Sequence, residues 1–580
     1  MCAILACVAV GAAACTGNGD DHPQRPDTGE GSIFAETLAA EYRPESSELD
    51  GAPFYRIDAS FDPASARLSG EQEVFLSSEV ARTEVTLRVF ANDDAFAVNG
   101  DNVQIHELTV DGQDAEWTLD RSLLRVALPQ AVEGGDAVRL ALSFEQGVPQ
   151  LADPEPLDLG GEGGYGIYGS AEGITSLAHW HPVVLPAAPA LTDLPAQGDI
   201  SAFAAGFYDV TFEAPAGYEV ATSGEEVERD DVNGGATRGR YVTVAARDFA
   251  IVLSPDFERL EEERDGVVYR VFYDSEDTDF REARDLLDYA SGAVAVFSER
   301  FGPYIYDELD VVPISLRGGA GGIEFAGLIG IGASLYNGDP LGALGESSED
   351  SGLLGLVEGV FGGGALDGVL GDLLGEDGDG SMLGLADVTE FVVAHEVAHQ
   401  WWFNAVGSDS IEHPWMDESI TNFSATLYFE DRYGPEAGEE QVQAQLILPF
   451  QTMGLLGAQD AVVNQPASAF SSSIEYSGVV YGKGGYFFVE LRELVGDQAF
   501  FGGLAEYYSR YRYELAPNRA MVDIISELSG RPAEVDELYH RWIEETHGED
   551  DLGSVSDGGG PLSGIDLGGV LDDLLDLIGD

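Results

Sequence analysis

Between about residues 53 and 257 the apolar positions come in short runs that alternate with polar ones. Examples are Glu84-Val-Thr-Leu-Arg-Val-Phe90, Leu123-Leu-Arg-Val-Ala-Leu128 and Phe207-Tyr-Asp-Val-Thr-Phe212, separated by turn-forming residues. A period of two predicts half-buried strands, and the spacing of the turns predicts an antiparallel all-β domain over 49–257. From about 270 the apolar positions recur every three or four residues over longer stretches. Asp279 to Phe301, Val388 to Val406, Asp417 to Tyr433 and Gly485 to Leu494 read as helices, so 258–548 is expected to form a mainly α, α+β domain.

Four segments depart from these patterns. Residues 1–15 are a short apolar run rich in Ala and Val, and they hold all three cysteines of the chain, Cys2, Cys7 and Cys15. Ala13-Ala14-Cys15 resembles the end of a bacterial lipobox, which predicts an exported protein lipidated at Cys15, in the cell envelope, the periplasm or secreted. An uncleaved membrane anchor is the alternative, and no other stretch of eighteen uncharged apolar residues occurs. Residues 16–48 read as an acidic, disordered tether. The stretches 337–386 and 549–580 are dominated by Gly, Leu and Asp, and both contain L-x-G-V-L-x-D-L-L, at Leu366 to Leu374 and Leu567 to Leu575. That pattern fits low-complexity expansion, or two short amphipathic helices that pair with each other or with a partner.

Charge narrows the function. Against 105 acidic residues stand 28 basic ones, a formal net charge of −77, which excludes binding to nucleic acid or to anionic lipid headgroups. With 44% hydrophobic and 10% aromatic residues the chain still has the material for large cores, so the acidity belongs to a solvated face rather than to disorder.

The chemistry is concentrated at His395-Glu396-Val-Ala-His399. On a helix, residues four apart share a face, so His395 and His399 can offer two imidazole nitrogens to one metal ion with Glu396 beside them. Eighteen residues later Glu418 opens the next helical stretch in Trp415-Met-Asp-Glu418. A carboxylate returned by that helix completes a two-His, one-Glu set with an open fourth position, the composition of a catalytic zinc site holding one ion. Glu396 is then the general base toward a zinc-activated water.

H-E-x-x-H, eighteen residues and Glu resembles the signature of the aminopeptidase N family of gluzincin metallopeptidases. Gly321-Gly-Ile-Glu-Phe-Ala-Gly-Leu328 resembles the family's G-x-M-E-N motif, with Ile323 and Phe325 in place of its Met and Asn. Tyr476-Ser-Gly-Val-Val-Tyr-Gly-Lys-Gly484 is similar to the segment whose tyrosine precedes x-K-G. The resemblance implies a thermolysin-like zinc peptidase domain acting as an aminopeptidase on peptides with a free N-terminus. It implies that Tyr481 donates a hydrogen bond to the oxyanion, that Glu324 binds the α-ammonium group, and that the backbone at Gly321 and Gly322 runs beside the substrate. It further implies a polar residue lent by the β domain, with Ser176 to Pro182 the first stretch to consider and either His179 or His181 facing the cleft. By the same resemblance 337–386 is an insertion next to the site, and the C-terminal helical-repeat domain of larger members is missing. An endopeptidase or other zinc hydrolase reusing the site, and a non-catalytic binding protein, are the competing readings.

Overall fold

The computed structural model describes residues 25–336, with breaks at 50, 78–80, 94–102, 135, 152–163, 187–193, 196, 233 and 318–319, and residues 385–553. The predicted lipobox, most of the 337–386 segment and most of the 549–580 tail, with both leucine-rich repeats, lie outside the described residues. The described part of the expected disordered tether, 25–48, is instead ordered: short helical turns at Ala35–Thr37 and Arg43–Leu49 carry Phe34, Leu38 and Tyr42 into the core, apolar side chains whose burial outweighs the polar composition around them.

Alternating burial builds the β region as the sequence pattern predicts. Ala137–Gly147 buries Val138, Leu140, Leu142 and Phe144 on one face of its strand. It takes its place in an eight-stranded sheet, with Gln104–Val110 on one side and Arg67–Ser77 on the other, followed by Phe54–Asp62, Gly206–Pro215 and Ala236–Ala246. Neighbours in this sheet run antiparallel, save that Phe54–Asp62 pairs in parallel with Gly206–Pro215, a strand about 150 residues distant, at the middle of the sheet. Two four-stranded sheets complete the region.

A further sheet of five strands starts at Phe257, and here the chain is richer in strands than its helical pattern predicts. Its order is Phe257–Arg264, Val267–Asp274, Glu308–Ile314, Leu328–Gly332 and Gly322–Phe325, with two parallel pairings around Glu308–Ile314. Gly322–Phe325 is thus an edge strand, folded back on Leu328–Gly332 through Ala326-Gly327. Gly327 takes a positive φ of 67°, which a residue without Cβ adopts freely. Helix Phe280–Phe301 packs behind the sheet. Its first turn is fixed by a capping box, Asp279 accepting from the Glu282 N–H and Glu282 from the Asp279 N–H.

The remainder is helical, including Leu385–Ala398, Glu418–Tyr433, Gly484–Val495 and Asp497–Tyr511. Leu385–Ala398 packs between Phe280–Phe301, the sheet edge and Glu418–Tyr433. Among the described residues no helix is long and apolar enough to cross a membrane. The order is therefore an N-terminal multi-sheet β region, a mixed sheet and a helical C-terminal region.

Candidate active site

His395 and His399 lie four residues apart at the end of helix Leu385–Ala398, so their rings stand one above the other, with Nε2 atoms 3.1 Å apart. Glu418, the first residue of the next long helix, brings Oε2 to 3.3 Å from His395 Nε2 and 3.5 Å from His399 Nε2. Three ligand atoms about 2.0–2.1 Å from a tetrahedral zinc would lie roughly 3.3–3.4 Å from one another. Glu418 Oε2 is buried and has no hydrogen bond. An orphaned carboxylate oxygen facing two imidazole nitrogens at this spacing fits a zinc ion, and the described residues include no cysteine to suggest a structural site.

The ligands are held from behind. His399 Nδ1 is 2.8 Å from Asp417 Oδ1, and Ser410 donates to Asp417 Oδ2 at 2.9 Å, which fixes the ring and leaves Nε2 for the metal. Glu396 is buried, and its carboxylate lies against the edge strand: a Cβ added at Gly322 would come within 2.6 Å of Glu396 Cδ. Gly321, the residue just before the strand, sits over Val392 of the same helix. Gln400 ties that helix to the hairpin, accepting from the Gly327 N–H at 3.0 Å and donating to the Phe325 carbonyl at 2.9 Å.

Tyr481 belongs to a π-helical turn, Ser477–Lys483, and its hydroxyl donates to Glu418 Oε1 while its ring stacks on His395. In an i→i+5 turn one extra residue is accommodated, and freed carbonyls need other donors. Here they come from the Glu418 helix: Ser419 Oγ donates to the Val480 carbonyl at 2.6 Å, and Asn422 Nδ2 to the Tyr481 carbonyl at 3.2 Å. The turn that carries Tyr481 is thus tied to the helix that carries Glu418.

Glu324 is buried on the edge strand, and Asp199 from the β region reaches it. Carboxylate oxygens of Asp199, Glu324 and Asp417 all lie within 4.8 Å of one another. The Asp199 loop is seated by Gln197, whose Nε2 donates to the Phe470 and Ala467 carbonyls at 2.7 and 3.2 Å, and by Gly198. Its φ is 78°, and a Cβ there would come within 2.7 Å of the Tyr476 ring. A small cavity beside Glu324 is lined by Asp199, His179, Asp248 and Phe403. Of the stretch 176–182, His179 thus reaches the cavity, 2.6 Å from Asp248, whereas His181 is buried inside the β core against Tyr55, Tyr208 and Trp180. Asp199 had no local sequence signal. Asp417 did, as the residue directly before the third ligand.

Burial of so many carboxylates sets the electrostatics among the chain's own groups. Burial pushes Glu324 up to about 7, against the pull of His399 and with the help of Asp417 and Glu418. Burial likewise raises Glu396 and Asp199 well above the carboxylate range, each aided by its acidic neighbours. Glu418 goes the other way: burial raises it, but the combined attraction of the His395 and His399 rings facing Oε2 outweighs that and holds it below the carboxylate range. A dication among these groups would favour the ionised form of each.

Residues 373–542 match the Peptidase family M1 domain. Over much the same stretch the chain is similar to aminopeptidase N proteins. It is 25% identical over 172 residues to an aminopeptidase N of Lactobacillus delbrueckii subsp. lactis, which covers 29% of this chain and 20% of the relative. It is 28% identical over 156 residues to an aminopeptidase N of Lactococcus lactis subsp. lactis, covering 27% and 18%. The chain thus spans about a fifth of the length of these curated relatives. Among solved structures, an M1 zinc metallopeptidase from Deinococcus radiodurans superposes with a TM-score of 0.55 at 17% identity, covering 85% of this chain and 93% of that one. That likeness is one of fold and extends through both the β and helical regions.

Proposed function

We propose that this chain is a zinc-dependent aminopeptidase that removes N-terminal residues from peptides. The observation that carries the reading is the meeting of half-buried Asp199 and buried Glu324, carboxylates from two different regions, beside the His395, His399 and Glu418 cluster. Buried negative charge at this density is relieved by a cation, and a peptide's α-ammonium group can supply it through charge-assisted hydrogen bonds. A metallopeptidase neighbour from D. radiodurans is bound to a Tyr-Ser-Ala substrate, a ligand of the class proposed here.

Zinc, held by His395, His399 and Glu418, would supply Lewis acidity at the scissile carbonyl and a lowered pKa for water. Glu396 accepts a proton on its carboxylate and returns it to the leaving amine. Tyr481, whose hydroxyl rests on Glu418 Oε1, is placed to turn that donor toward charge developing on the carbonyl oxygen. The free edge at Gly321-Gly322 offers main-chain hydrogen bonds to an extended substrate. Glu324 and Asp199 fix its N-terminus, so only the first peptide bond reaches Glu396.

The test is amino-acid release from free and N-acetylated peptides by wild type, Glu396→Ala and Glu324→Ala. Cleavage of free peptides only, abolished at Glu396 and reduced at least tenfold at Glu324, is expected. Equal cleavage of acetylated peptides would overturn the exopeptidase reading in favour of an endopeptidase on the same site. Export with lipidation at Cys15 is proposed on sequence alone, and labelled fatty acid incorporated into wild type but not into Cys15→Ala would support it.

A further inference from the structure

Lys483 is the single lysine of the chain; the other 27 basic residues are arginines. It closes the π-helical turn that carries Tyr481, two residues away, and its side chain is fully buried. The ammonium group donates to Asp460 Oδ1 at 2.8 Å, to the Ala461 carbonyl at 3.0 Å and to the Glu545 carbonyl at 2.8 Å. Three acceptors converge on one nitrogen, which suits a compact ammonium with three donors and not a planar guanidinium, whose five donors spread over a wider fork. In a chain that otherwise uses arginine throughout, the lysine stands where that geometry is required.

What the cage holds together is specific. On its inner side the turn is bonded to the Glu418 helix through Ser419 and Asn422. On its outer side the described bonds of Lys483 reach the Asp460-Ala461 loop and the chain near its described C-terminal end. Glycines on either side leave no slack: a Cβ at Gly482 would come within 2.8 Å of the Leu446 carbonyl, and one at Gly484 within 3.1 Å of Ser419 Cβ. The Tyr481 hydroxyl is therefore located by two sets of bonds, one from the metal-ligand helix and one from the lysine.

We propose that Lys483 is a positioning residue for Tyr481, anchoring the π-helical turn so that the phenol is presented to the reacting carbonyl. The proposal rests on the aminopeptidase reading for its kinetic arm only. Lys483→Arg is expected to lower kcat about ten- to a hundredfold with KM changed less than about threefold, since a misplacement near 1 Å costs on this order. Made in the Tyr481→Phe background, the same substitution should lower kcat less than about threefold, because two residues acting through one hydroxyl are not additive. Equal losses in both backgrounds, or an undiminished kcat, would overturn it.

Amide hydrogen exchange supplies a readout independent of turnover. Faster exchange confined to 477–483 in Lys483→Arg, with 385–398 as in wild type, is expected. Acceleration across both segments means a general structural role and overturns the proposal. Should Lys483→Arg not fold, Asp460→Asn keeps the shape of the cage while removing its charge, and the same Tyr481-dependent loss and local exchange are required of it. If the wild type cleaves no peptide the functional reading fails, and the exchange experiment still decides whether Lys483 anchors the turn.

Discussion

Asp417 shows what a single side chain does at this centre. One oxygen faces His399 Nδ1 at 2.8 Å and the other accepts from Ser410, so the carboxylate selects the tautomer that turns the His399 Nε2 lone pair toward the metal. Replacing it by an amide keeps the volume but removes the charge that stabilises a proton on Nδ1. Asp417→Asn should bind zinc about ten- to a hundredfold more weakly, measured by competition with a chelator, while the folded structure persists. An unchanged zinc affinity would refute the role. The residues with a signal in the sequence are those whose partners lie close along the chain: His395, Glu396 and His399 within one helical turn, and Glu418 at the head of the next long helix. Asp199 and Glu324 meet across about 125 residues. Glu324 was legible only by resemblance, and Asp199 not at all, because nothing in a Gly-Asp loop marks where the fold will carry it.

At the scale of elements, the site depends on one short edge strand lying against one helix. Gly322 is the contact point, where a Cβ would come within 2.6 Å of Glu396 Cδ. Neither side can yield without displacing the base, since the strand is bonded into the sheet at Ile331 and the helix carries two ligands. Gly322→Ala should therefore lower kcat about ten- to a hundredfold while leaving zinc content and melting temperature close to wild type. Wild-type kcat would show that the hairpin moves freely. The elements themselves were legible to different degrees. Helices 279–301, 417–433 and 485–494 fall within a residue or two of expectation. The predicted helix 388–406 stops at Ala398, although its apolar spacing continues. Trp401 and Trp402 leave the helical path to pack on Phe297, Phe301 and Tyr507, and Arg247 takes the carbonyls of Phe403, Asn404 and Ala405. That guanidinium lies more than 150 residues upstream, beyond the reach of any local pattern. The π-helical turn at 477–483 was invisible for the same reason, its freed carbonyls being satisfied from another helix.

Across the whole molecule, Arg247 joins the β region to the catalytic region, and among the described residues it has no carboxylate within ion-pair distance. Its donors go to five carbonyls, those of Phe203, Phe403, Asn404, Ala405 and Glu514. Close by, the β core holds two other buried groups whose charge depends on pH. Burial pulls His181 down to about 4, against the pull of Asp248. Contacts with His179 and His181 outweigh burial and hold Asp248 down to about 2. For His181 the folded value lies below the unfolded value of about 6.5, so the fold favours the neutral ring. Its contribution to stability is complete above pH 6.5 and is lost as the pH falls from 6.5 to 4, about 3 kcal/mol at most for a shift of this size. Asp248 acts lower, its contribution present above pH 3.8 and lost toward 2. Protonating surface carboxylates relieves self-repulsion in a chain of net charge −77, an opposing trend that is shared by wild type and variant and cancels in their difference. His181→Asn retains a donor for Gln72, which lies 3.2 Å from His181 Nδ1, but does not titrate. Urea unfolding of both proteins between pH 7 and 4, in a fixed excess of zinc, should give a gap in stability that narrows or reverses as the pH falls, with the change concentrated between 6.5 and 4. A gap independent of pH would mean that His181 takes up its proton in the folded core as readily as in the unfolded chain.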